Sequence, residues 1–156
     1  MVHVHLFHLS SVWGRCRGSL LKAVTKIQAK CLKYILCLPI RTPTKLVFEK
    51  TKVMPLTVMI ELSSACIIYK ALLSNYVGNI RLKTNVIHQN RIIKPHCSST
   101  KYGLNGVLCK AIDAYNCLPS SIRGVAEYTL FRKRALGYFL NTFYCKLQDD
   151  EQSDCI

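Results

Sequence analysis

The stretch LTVMIELSSACIIYKALL, residues 56–73, decides the fold. Thr57, Glu61 and Ser64 make one narrow polar stripe, Ser63 and Lys70 lie elsewhere, and the rest of the circumference is apolar. A helix that is apolar most of the way round has to be covered on more than one side, so the spacing predicts the central helix of a mainly α core. Glu61 and Lys70 break the apolar run short of the ~18 residues that a bilayer span needs, so no transmembrane segment is expected.

Upstream, Leu20, Val24, Ile27, Cys31, Ile35 and Leu38 recur at steps of three and four and predict a helix over 20–37. This stripe is expected to face the core, with Ile27 and Ile35 leaving cavities when cut to alanine. Lys22, Lys26, Lys30 and Lys33 recur the same way on another face of that helix. A solvated lysine face usually carries glutamates at i,i+4, and this one has none. Like charges at that spacing cost about 0.2–0.5 kcal/mol per pair, which a bound polyanion would relieve.

Between this helix and the next stands CLPIRTPTKLVF, residues 37–48. Pro39 stops the first helix. Thr42-Pro43 has the form of an N-cap followed by proline at the first helical position, opening a short helix in PTKLVFEKTK. The joint either fixes an angle between two helices, or does so while Arg41 and the free N–H groups of the new helix hold a phosphate.

Downstream, residues 75–102 are basic, free of acids and punctuated by Pro95 and serines, and predict an extended loop with short strands at most. A helix over roughly 105–117 carries Val107, Leu108, Ala111 and Tyr115 and stops at Pro119. Another over roughly 130–144 groups Phe131, Ala135, Phe139 and Phe143 on one side, with Gly137 inside it. The expected fold is a small helical bundle of about five helices with one long basic loop, a single module over 1–148 followed by an acidic tail over 149–156.

The charge is as uneven as the hydropathy. There are 22 Lys+Arg against 8 Asp+Glu, with no acid before Glu49 and none between Glu61 and Asp113. Asp149, Asp150, Glu151 and Asp154 crowd the end, so the body to Gln148 has 22 positive and 4 negative side chains, a formal +18. Such a body attracts polyanions, RNA or DNA before an anionic membrane surface. Nine cysteines at irregular spacings, behind a start without a basic signal-peptide region, predict reduced thiols that mostly fill the core. The expected location is intracellular, cytoplasmic or nuclear.

No constellation in the sequence carries chemistry of its own. His3, His5 and His8, and His88, His96 and Cys97, lack the paired ligand spacing of structural zinc. QDDE at 148–151 invites comparison with the paired aspartates that bind magnesium in polymerases, but it lies in the tail with no hairpin to aim it. Glycine-rich phosphate loops and nucleophile elbows are missing. No catalytic, cofactor or metal residues are expected.

Taken in order, VWG (12–14), LLKAVTKIQAKCLKYIL (20–36), RTPT (41–44), MPLTVMIELSSACIIYKALL (54–73), AIDAYNCLPSSIR (111–123) and YTLFRKRALGYFL (128–140) form a set. That set resembles the C-terminal, post-palm region of a reverse transcriptase from a non-LTR (LINE-type, jockey-like) retrotransposon, over roughly residues 12–141. Tyr115 stands where that family usually has tryptophan, and Gly137 falls in a helix normally richer in lysine. The resemblance implies a thumb-like helical module that holds template and primer beside an RNA-directed DNA polymerase core. It also implies that residues 1–14 are a truncated lead-in, and that the magnesium-binding palm and the endonuclease lie before Met1.

The residues expected to meet nucleic acid are Lys22, Lys26, Lys30, Lys33, Arg41 and Arg91. The partners expected are an RNA or DNA backbone and the polymerase core. The competing expectation is a basic interaction module that docks an acidic protein or an anionic membrane.

Overall fold

The computed structural model describes residues 18–73, 84–85, 91–93 and 106–153. The lead-in, most of the 75–102 loop and the last three residues lie outside the described residues. Six helices form among the described residues, 77% of which are helical: α1 (Gly18–Ile35), α2 (Thr44–Thr51), α3 (Leu56–Leu73), α4 (Val107–Asn116), α5 (Ser120–Arg123) and α6 (Tyr128–Ser153). Between α3 and α4, β1 (Thr84–Asn85) and β2 (Arg91–Ile92) pair antiparallel, Thr84 opposite Ile92 and Asn85 opposite Arg91. The fold is a helical bundle, with one turn of helix, α5, beyond those the sequence marks.

α3 is the centre, as its circumference requires. It packs against α4, α6 and α1, burying Val58, Leu62, Ala65, Ile68 and Tyr69 among Ala111, Ile112 and Tyr115 of α4 and Phe131, Ala135 and Phe139 of α6. Ser63 and Ser64 satisfy their hydroxyls within the helix by donating back to the carbonyls of Met59 and Ile60, both at 2.7 Å. α3 is long and apolar enough to cross a membrane, with a mean hydropathy of 1.7, but here three helices cover it. Burial pushes the Glu61 carboxyl above its ordinary range, and Lys146 on α6 partly offsets the shift.

Aromatic rings lock α6 to α3 and α4. Phe131 stacks on Tyr69 with centroids 4.0 Å apart and planes 16° from parallel, and Tyr115 closes the other side at 6.2 Å. The Tyr69 hydroxyl, carried into the core by its ring, donates to the Val125 carbonyl at 2.7 Å. α6 continues without a break past Tyr144, so positions 149–151 lie within the helix.

Gly137 sits on the exposed side of α6, with no atom within 4 Å of where a Cβ would stand. Gly137→Ala should therefore raise stability by about 1 kcal/mol, the helix-propensity difference, read as a higher denaturant midpoint at unchanged slope.

Two side-chain amides fasten backbone that the helices leave unpaired. Asn116, the last residue of α4, accepts from the Ile92 N–H at 3.0 Å and donates to the Ile92 carbonyl at 2.9 Å, seating Ile92 in the core. Gln28 of α1 does the same at the start of α3. Its Nε2 donates to the Met54 carbonyl at 3.1 Å, and its Oε1 accepts from the Leu56 N–H at 3.0 Å. That bond satisfies one of the orphan donors at a helix N-terminus.

Candidate nucleic-acid interface

The Gln28 clasp sets which side of α1 faces inward. Leu21 packs on Leu56, Met59 and Ile60, while Thr25 and Ala29 are buried and Leu32 is half-buried. The inward face is thus one residue, about 100°, round the wheel from the stripe that its hydropathy marks. Leu20 is 55% exposed, Ile27 58% and Ile35 75%, and Val24 and Cys31 are exposed too. The expectation that Ile27 and Ile35 lie in the core is overturned. Small Ala29 and the amide of Gln28 let α1 approach α3 closely, and that close approach outweighs the larger side chains. Among the described residues the expectation of core cysteines fails similarly: Cys66 and Cys109 are buried, but Cys31, Cys37, Cys117 and Cys145 are exposed thiols.

Lys22, Lys26 and Lys30 are exposed along a third face of α1. Lys33 differs from them: it is half-buried, and its Nζ donates to the Ile40 carbonyl at 2.8 Å. It braces the joint.

The joint itself is built from turn chemistry. α1 ends in a Schellman arrangement, the Leu38 N–H reaching the Lys33 carbonyl at 2.9 Å and the Cys37 N–H the Tyr34 carbonyl at 3.1 Å. Cys37 carries the required left-handed conformation, φ 50°. Thr42 does not cap α2; its hydroxyl and N–H both donate to the Pro39 carbonyl, at 2.7 and 3.0 Å. Pro43 takes the N-cap position, and α2 has no side-chain cap. Arg41 is exposed just before it.

Because glycine adopts φ 50° without the Cβ clash that cysteine bears, Cys37→Gly should stabilise the fold by about 0.5–1 kcal/mol in a urea titration.

Arg91 is exposed on β2, which packs beside α4 and so belongs to another part of the molecule. The structure therefore brings Lys22, Lys26 and Lys30 together, puts Arg41 at the end of the same arm, and separates Arg91 from them.

A second basic surface was not legible in the spacing. Lys70 of α3 lies over the Tyr128 ring, 4.8 Å from its centroid, and Lys70, Tyr128 and Arg132 converge on Cys66. Burial pushes the Cys66 thiol up, and those three neighbours pull it back. Tyr128 and Arg132 stand four apart on α6 and so share one face of it. Arg123 is the other surprise: 7% exposed, its Nε and Nη1 find no hydrogen-bond partner among the described residues. It lies beside Tyr115, whose hydroxyl burial pushes up and Arg123 draws back down.

No protein-family model, no curated protein and no solved structure matches this chain.

Proposed function

We propose that this chain is a nucleic-acid-binding helical module that grips the phosphate backbone of RNA or DNA through α1. In this reading it derives from the C-terminal region of a non-LTR retrotransposon RNA-directed DNA polymerase. It works inside the cell, in cytoplasm or nucleus, and contributes no catalytic group of its own. Magnesium would belong to the polymerase palm of the parent protein.

The observation that carries the reading is the exposed row Lys22, Lys26, Lys30 on a helix without a single acidic residue. Three successive turns of helix offer ammonium groups, at about 5 to 6 Å of rise each, on one side of a fixed rod. Lysine ammonium groups contact phosphates as point charges and read no bases. Arg41 extends the row beyond the end of α1, where the uncapped first turn of α2 adds backbone donors.

The test is fluorescence anisotropy with labelled single-stranded RNA and duplex DNA across a salt series, in competition with anionic vesicles. Expected are a steep negative slope of log affinity against log salt, little dependence on base sequence, and preference for nucleic acid over vesicles. A flat salt response, or displacement of RNA by vesicles at matched charge, would overturn the proposal.

A further inference from the structure

We infer that the exposed apolar face of α1 is a docking seam for an acidic amphipathic helix of another protein. The face is made of Leu20, Val24, Ile27, Cys31 and Tyr34, with Ile35 at its edge. The first five are spaced four, three, four, three, the interval of a coiled-coil seam, with Val24 and Cys31 as one register position and Leu20, Ile27 and Tyr34 as the other. It runs about 20 Å along the helix. All of it is exposed, Tyr34 at 71% and Ile35 at 75%, although the adjoining face of α1 is packed on α3. A soluble surface seldom leaves so many large apolar side chains in one continuous row without something to cover them.

Charge selects the occupant. One flank of the seam, at Leu21 and Gln28, is already taken by α3 and the preceding backbone. The open flank carries Lys30 at the position beside the seam, with Lys26 one turn behind it, and α1 contains no acid. A partner helix lying in this seam therefore meets only positive charge on its open side, and glutamates flanking its own apolar row complement it. A second copy of this chain would bring lysine against lysine. A bilayer is the alternative occupant, because lysines opposite an apolar stripe also suit an interfacial helix, and the vesicle arm of the experiment tests it. The seam itself lies apart from the lysine row, but its open flank shares Lys26 and Lys30 with that row, so a docked acidic helix and RNA compete for those two ammonium groups.

The experiment uses the full chain and fluorescent synthetic helices about three heptads long. One has valine and leucine in its seam and glutamate on its flanks, a second has lysine on the same flanks, and a third keeps the glutamates with serine in its seam. The Glu-flanked apolar peptide should bind at least about tenfold more tightly than either of the others. Ile27→Gln and Leu20→Gln should each weaken it by at least about tenfold, with an unchanged melting temperature and unchanged salt dependence of RNA binding. The inference falls if the three peptides bind alike, or if Ile27→Gln leaves binding intact in a folded protein. It also falls if the same substitution abolishes dimerisation in sedimentation or flotation on phosphatidylserine vesicles, which would assign the seam to a second copy or to a membrane.

Discussion

Phe131→Ala should cost about 3–5 kcal/mol of folding stability, the range for emptying a fully buried aromatic site. Phe131 has no exposed surface and stands where α3, α4 and α6 meet, stacked on Tyr69 and flanked by Tyr115. Tyr69 cannot follow a shrinking neighbour, because its hydroxyl is tied to the Val125 carbonyl. The site therefore collapses poorly, which puts the loss at the upper end. Set against a typical stability of about 5–15 kcal/mol, such a loss leaves a fraction of the chain unfolded at physiological temperature. Phe131→Leu keeps most of the volume and should cost less than half as much, while Tyr69→Phe should cost about 1 kcal/mol for its lost hydrogen bond. Urea titrations of the three variants provide the check. An alanine variant within about 1 kcal/mol of the parent would mean that the α3–α6 stack is not what holds the core.

The second large effect is on binding. A Lys22→Gln, Lys26→Gln, Lys30→Gln triple variant should flatten the slope of log affinity against log salt by about 2.7 for duplex and about 2.1 for a single strand. Those figures assume one phosphate per lysine. Stability should move by no more than about 0.5 kcal/mol per site, because all three residues are exposed and glutamine is nearly as good a helix former. Lys33→Gln should behave in the opposite way. It removes the bond to the Ile40 carbonyl, so it should loosen the joint and lower stability while leaving the salt slope unchanged. Anisotropy and melting curves on the same four-point salt series separate the two outcomes. An unchanged slope in a folded triple variant would leave the lysine face merely solvated and send the search to Lys70, Tyr128 and Arg132.

α3 and α6 were legible in the sequence because nearly every large residue on their inward faces is also the most apolar choice there. Phe131, Ala135 and Phe139 fall where the spacing puts them. α1 was legible as a helix but not in its rotation. Periodicity shows that an apolar face exists, and it does not say what that face touches. Two features decided the rotation: a glutamine that pairs with backbone across 26 and 28 residues, and an alanine small enough for close approach. Neither has a hydropathic signature. The site shows the same division. Four lysines at steps of four, four and three look equivalent in sequence, and only the path of the joint brings the last one onto the Ile40 carbonyl. Thr42 likewise has the right identity for a cap and the wrong backbone path, because Pro39 offers its carbonyl first. The Lys70–Tyr128–Arg132 surface joins residues nearly sixty positions apart, so only the antiparallel packing of α3 on α6 brings it into being.

The apolar interior is divided, and that division has a kinetic meaning. Leu21 of α1 meets only the small cluster at the start of α3, whereas α4 and α6 share the large cluster further along that helix. α2 packs on α1 and also reaches α6, where Phe48 meets Phe143 edge-on at 5.8 Å. Lifting α1 away breaks the two Gln28 bonds and uncovers Leu56, Met59 and Ile60, and it leaves every ring around Phe131 in place. Amide protons of α1 thus exchange with solvent through an opening of its own, at lower free energy than the global unfolding that releases those of α3. The lysine-bearing α1, with α2 packed against it, should therefore behave as a cooperative unit of its own while the rest of the bundle stays shut.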